Sequence, residues 1–244
     1  MEKKEIVIGR NSVLEYIKEL NNPSDAKLLI SKSAHGKIIN TIAENSKKKG
    51  IPIEYCEKEK LSKYCSSSKH QGVILQILME SHRLDENEFL NHVLLERGIL
   101  VLLDQLTDPH NIGSIIRTAE ALGAAGLVIT KSRSTDINST VIKTSSGATA
   151  HLRILTISNI SNFIEKAKKI GFWIIGTGER GNAKLSLLKE MKPSIIIIGN
   201  EGKGIRRLTQ EKCDIIAQIP LKGKISSLNA SVAAGIILYE ALKD

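Results

Sequence analysis

From Gly98 onward the chain repeats one pattern: a short run of apolar residues, a polar junction, then a segment that is apolar every three or four positions. The runs ILVLLD, GLVIT, LRILT, FWIIG, SIIIIG and DIIAQIP are separated by stretches such as IGSIIRTAEALGA and SNFIEKAKKIG. A strand that is apolar on both faces must be covered on both, and intervening helices supply that cover in a parallel sheet. The fold class is therefore α/β. Ligands of such sheets bind at the carboxyl ends of the strands. Residues 104–117, 199–204 and 220–231 occupy those positions and are unusually polar.

Residues 1–80 alternate shorter strand and helix patterns and read as a separate compact α/β domain. Residues 81–97 mix acidic residues with scattered Leu, Phe and Val, as a linker or connecting helix would. A domain boundary is expected there, with residues 98–244 forming the second domain. The net charge of +9 is spread over both halves and favours a polyanionic partner, most simply nucleic acid. Aromatic residues make up only 3% of the chain, which disfavours an aromatic base-stacking platform. Phosphate contacts should dominate instead, with Lys47, Lys48 and Lys49 and the loop from Ser66 to Gly72 as candidates. The three cysteines lack CxxC spacing, so neither a disulfide framework nor a zinc site is expected. No apolar run is long enough for a membrane helix and MEKKEIVIG is no signal peptide, so a cytoplasmic protein is expected.

Four motifs require weighing. The run from Gly176 to Gly181, GTGERG, matches GxGxxG after a strand, but no long helix follows to hold a pyrophosphate, which argues against a dinucleotide-dependent oxidoreductase. GNEGKG, from Gly199 to Gly204, lacks the GxxxxGK[ST] pattern of a phosphate-binding loop. DPHNIGSIIRT places a turn before a helix, and Arg117 converges with Asn111 only if Asn111 precedes the first helical turn. An arginine among apolar and small residues is costly unless it is paired or bound to an anion. In IPLKGKISSLNASVAAGIILYE, serine and asparagine crowd a helix start, where free backbone N–H groups invite a cap.

In order and spacing, DPHNIGSIIRTAEALGA, IIIIGNEGKGI and IPLKGKISSLNASVAAGIILYE resemble the three signature motifs of the SpoU branch of the SPOUT RNA methyltransferases. GRNSVLEYI and HQGVIL resemble the ribosomal-protein-like substrate-binding domain of the RlmB-type 23S rRNA guanosine 2'-O-methyltransferases, and Ser145 to Ala148 looks like the small-residue segment between motifs one and two. The resemblance implies a deep trefoil knot in the C-terminal sheet, S-adenosylmethionine as cofactor, 23S rRNA as substrate and a homodimer that completes the active site. On matching positions, it implies that Gly199, Ile219, Leu228 and, in the preceding loop, Thr177 hold the cofactor. Asn111, Arg117, Glu201, Ser227 and Asn229 match the catalytic set, with Arg117 on phosphate and developing alkoxide, the others holding it and the ribose in place, and the base left open. No metal and no membrane enter this reading, and His110 is a turn residue. The alternatives are a tRNA ribose 2'-O-methyltransferase and a catalytically silent RNA-binding or ribosome-assembly protein.

Overall fold

The computed structural model describes the chain except for residues 1–2, 21, 66–69, 80–84, 132–136, 180, 182, 225–226 and 244. It divides into two compact units, one comprising Met1–His82 with Ile137–His151, the other Arg83–Asp136 with Leu152–Asp244. Among the described residues no helix is long and apolar enough to cross a membrane.

The first unit begins with β1 (Lys3–Ile8), α1 (Arg10–Glu19), β2 (Ala26–Ser31), α2 (Lys37–Lys49), β3 (Ile53–Cys56), α3 (Lys58–Ser62) and β4 (Val73–Met79). Its sheet runs β1-β4-β2-β3, with β4 antiparallel to both neighbours and β2 parallel to β3. Side chains alternate across a strand. Val73, Leu75 and Ile77 accordingly pack with Val13, Ile17, Ile39 and Ile42 of α1 and α2, while Ile74 packs with Leu61 of α3. Two opposed helix layers thus hold one small sheet.

The second unit opens with α4 (Glu86–Leu95), β5 (Ile99–Leu103), α5 (Pro109–Ala121) and β6 (Gly126–Thr130). The acidic stretch resolves as the connecting-helix alternative: Asp85 caps α4 by accepting from Asn87 and Glu88 N–H, and Phe89, Leu90 and Val93 are buried in this unit's core. Next comes α6 (Ser139–Thr144), which belongs to the first unit, where Ser12 Oγ donates to the Ile142 carbonyl at 3.1 Å. The small-residue segment Ser145 to Ala148 therefore packs with the first unit: a Cβ on Gly147 would meet the Glu15 side chain at 2.9 Å.

The second unit continues with β7 (Ile154–Ile157), α7 (Ile160–Lys169), β8 (Trp173–Thr177), β9 (Ser194–Ile198), α8 (Arg207–Gln210), β10 (Ile215–Ala217) and α9 (Ala230–Leu242). The six strands pair in the order β10-β8-β9-β5-β6-β7, all parallel. Every residue of β5 and β9 is buried, as apolar runs without alternation require. In α7, Ile160, Phe163, Ile164 and Ala167 recur at helical spacing and face the core. Chain order reverses between β9 and β5, and in open α/β sheets such a reversal leaves a ligand crevice outside the strand ends.

Candidate functional site

Three chain segments leave the carboxyl ends of the central strands and meet around one carboxylate. From β5 the chain turns at Asp108, which caps α5 by accepting from His110 N–H, and Pro109 occupies the first helical turn. His110, expected to be a turn residue, lies instead in the first turn of α5. Asn111 Nδ2 donates to Glu201 Oε1 at 3.0 Å, just beyond β9. Asn229, the residue before α9, donates through Nδ2 to the same Glu201 oxygen and to Asn111 Oδ1, while the Ala230 backbone N–H donates to Glu201 Oε1 at 3.0 Å. Asn229 Oδ1 in turn caps α9 by accepting from the Ser231 N–H at 3.0 Å and the Val232 N–H at 3.3 Å. One carboxylate oxygen thus takes three donors from two segments. Among the described residues, none donates a hydrogen bond to its other oxygen.

A buried latch sets this arrangement. Asp104, fully buried at the end of β5, accepts from the Arg206 backbone N–H at 3.0 Å and from Arg206 Nε at 2.7 Å. Beside it, Asn200 Nδ2 donates to the Gln105 carbonyl at 3.3 Å. Both ends of the loop carrying Glu201 are therefore tied to the segment that starts α5. Gly199 is required here, because a Cβ would lie 2.4 Å from the Gly204 carbonyl carbon. The Asp104–Arg206 pairing, 102 residues apart in sequence, is the feature that sequence reasoning missed; its only local sign is a carboxylate closing the apolar run ILVLLD.

Against this cluster lies a cavity of about 730 Å³, lined by the ends of β8, β9 and β10 and the approach to α9. That volume suits a cofactor-sized ligand. Thr177, Gly199, Ile219 and Leu228 all line it, as do Glu201 and Ser227. Thr177 Oγ1 donates to the Ile197 carbonyl at 2.8 Å, so its hydroxyl is committed to the fold. Apolar wall comes from Ile205, Leu228 and Ile237, and polar groups from Glu179, Gln218 and Lys224. The GTGERG glycines serve this edge differently from a dinucleotide loop. Gly176 lies in β8 against Ile216, and a Cβ on Gly181 would sit 2.5 Å from the Ile216 carbonyl oxygen; no long helix follows. Arg180 lies outside the described residues.

Arg117 does not share a helix face with Asn111. Asn111 is already inside α5, so Arg117 lies about 9 Å further along the axis and on another face, at 1.5 Å and 100° per residue. The condition for the two side chains to converge is not met. Arg117 is also exposed, which removes the burial cost expected of it from sequence. Glu201 and Asn229 spend their hydrogen bonds on Asn111 and the start of α9. Cys213, half-buried under the α8 end, has its thiol pushed up to about 11 by burial, and all three cysteines are free thiols.

A parallel α/β sheet with a large cavity and an amide–carboxylate cluster at its switch point defines a ligand-binding α/β domain, in a chain that also contains a second α/β unit. Residues 98–239 match the SpoU rRNA Methylase family, and residues 6–82 match the domain described as RNA 2'-O ribose methyltransferase substrate binding. The chain belongs to the SpoU family and is an RNA 2'-O-ribose methyltransferase of that family. A Bacillus subtilis protein named as a TrmH family tRNA/rRNA methyltransferase, YacO, is 37% identical over 99% of this chain and 96% of its own. The SpoU methyltransferase AviRb from Streptomyces viridochromogenes superposes with a TM-score of 0.79 and 26% identity, covering 98% of this chain and 89% of AviRb. Its complex with the cofactor AdoMet matches with a TM-score of 0.76 and 24% identity over 98% and 89% of the two chains. The A. aeolicus TrmH/SpoU tRNA modifying enzyme matches with a TM-score of 0.53 and 27% identity over 66% of this chain and 84% of its own.

Proposed function

We propose that the protein transfers a methyl group from S-adenosylmethionine to the ribose 2'-hydroxyl of a guanosine in 23S rRNA, as a cytoplasmic homodimer without a metal. The observation that carries this reading is the adjacency of the Asn111–Glu201–Asn229 cluster to the cavity at the strand ends. Cavity size and its mixed wall fit S-adenosylmethionine, which supplies an electrophilic methyl group when bound. Gly199, Ile219 and Leu228 would hold it through backbone and apolar contacts, with Thr177 shaping the rim. The reading includes the trefoil knot, in which the segment before α9 passes through a loop of the same domain.

The reaction is an in-line displacement, so the protein must orient the 2'-oxygen, ease loss of its proton and exclude water. Glu201 and Ser227 line the cavity and would position the ribose. Arg117 would bind the target phosphate and stabilise charge developing on the 2'-oxygen, a role that suits a guanidinium, which does not readily deprotonate. Its exposure on α5 is compatible with contact to an RNA surface or to a second subunit. Support for the dimer is an apolar stripe on α9: Val232, Ile236 and Tyr239 are 51%, 37% and 57% exposed at helical spacing. Support for ribosomal RNA over tRNA is the substrate-binding domain, since likeness to the tRNA modifying enzyme stops at 66% of this chain.

The test is incubation with labelled S-adenosylmethionine and undermodified large-subunit rRNA, followed by mapping of ribose methylation. A single labelled 2'-O-methylguanosine is expected. Bound cofactor with no label in any RNA would instead leave an RNA-binding protein.

A further inference from the structure

The first unit contains a second cavity, of about 560 Å³, for which the methyl-transfer reaction has no use. Three helices of that unit begin at its wall, through Arg10 and Asn11 of α1, Ile38 of α2 and Lys58 of α3. Neither α1 nor α2 has a side-chain cap, because Gly9 and Gly36 occupy the capping positions. The start of α2 therefore presents backbone N–H groups without a side-chain cap, while at α1 the first N–H is taken by Gln71 from across the cleft. No acidic residue lines the cavity.

Its far wall is the turn before β4. Arg10 Nε donates to the Gln71 carbonyl at 3.1 Å and Gln71 Oε1 accepts from the Arg10 backbone N–H at 3.0 Å, which anchors the stem of Arg10 and leaves both terminal guanidinium nitrogens without an acceptor. Gly72 has φ +81°, and a Cβ there would meet the Ala34 Cβ at 2.7 Å. The Gly72 N–H donates to His70 Nδ1 at 3.0 Å. An accepting Nδ1 puts the neutral ring's proton on Nε2. Burial, with the Lys58 cation second, holds the His70 pKa below its usual value and so keeps that neutral form. His70 is wholly buried in the cavity wall, and its Nε2 has no partner. A buried donor without an acceptor is uncommon in a native fold and calls for an explanation.

We propose that this cleft is a subsite for one unstacked nucleotide of the RNA substrate, with its phosphate on the Arg10 fork and Lys58 and an oxygen of the same nucleotide accepting from His70 Nε2–H. The inference rests on the RNA methyltransferase reading and deepens it. Volume favours a nucleotide over a bare phosphate, and Ala34 and Ile38 supply an apolar side for a base. Sequence-tolerant capture of splayed nucleotides is how proteins commonly engage irregular RNA, and a guanidinium fork matches phosphate geometry. The low aromatic content agrees with a pocket that grips by charge and hydrogen bonds rather than by stacking.

The experiment uses the full chain and undermodified large-subunit rRNA, with Lys58→Ala as the variant, because Lys58 is exposed and its loss leaves both cores intact. The RNA Kd should rise about 5- to 10-fold, and the slope of log K against log salt should fall by about one. In parallel, a single-stranded RNA hexamer added to the wild type should shift the Gly72 amide and His70 Nε2 resonances. An unchanged Kd and salt slope, or resonances that stay in place, would overturn the proposal. Wild-type protein that transfers no methyl group to any RNA would sink the catalytic reading alone, and the RNA-binding comparison would still decide the cleft.

Discussion

Glu201 and His70 are opposites. Glu201, at the strand ends of the second unit, receives three donors on one oxygen and lines the cavity. His70, in the first unit, is fully buried with a ring nitrogen that meets nothing. A satisfied polar network fixes its members in one geometry, while an unsatisfied buried group calls for an explanation, which at His70 is the proposed nucleotide. The two regions divide the work accordingly: one is preorganised for a reaction, the other is incomplete until RNA arrives.

Substitutions can break that contrast, beginning with the largest expected effect. Gly199→Ala forces a Cβ to within 2.4 Å of backbone, so the loop bearing Glu201 must shift. Calorimetry should show S-adenosylmethionine affinity reduced by more than about tenfold, a rough figure for a displaced binding loop. Asp104→Ala removes both anchors of Arg206 from a buried carboxylate, and a loss of about 1–3 kcal/mol in urea unfolding is expected, at the lower end because Arg206 is 46% exposed and can hydrate. Asn229→Ala deletes the cap of α9 and the link to Asn111 together, at about 1 kcal/mol of stability. His70→Asn keeps an acceptor for the Gly72 N–H and deletes the orphan donor, so thermal unfolding should change by less than about 1 kcal/mol. A large loss there would mean that His70 belongs to the fold and not to a ligand. Cys213 offers a check outside both regions: with its thiol held near 11, alkylation at pH 8 should be far slower than in the unfolded chain and should accelerate as pH rises toward 11.

Much of this was legible from residues alone, for identifiable reasons. Unbroken apolar strands specify a doubly covered parallel sheet, and that sheet brings the ends of β5 and β9 together; hence Asn111, Glu201 and Asn229 meet although 90 and 118 residues separate Asn111 from its partners. Residues expected around the methyl donor line one cavity because each follows a neighbouring strand. The position of Arg117 was not legible, since it depends on whether α5 begins before or after Asn111, and Pro109 at the first turn decides that. Nor was the attachment of Ile137–His151 to the first unit, because long-range packing of Ile142 beneath α1 leaves no periodic trace in sequence. The orphan nitrogen of His70 required coordinates outright, although the HQG turn around it was a visible candidate for phosphate contact.

The central claim is the proposal that cofactor binding and methyl transfer are separable: the cavity at the strand ends would hold the donor, and Arg117, which does not line it, would act on the RNA. The most direct test measures S-adenosylmethionine affinity and methyl transfer to large-subunit rRNA in Arg117→Ala. The account predicts cofactor affinity within about twofold of wild type and transfer reduced by at least about 100-fold, the scale of a lost oxyanion-stabilising group. Equal loss of both, or transfer that survives intact, would contradict it.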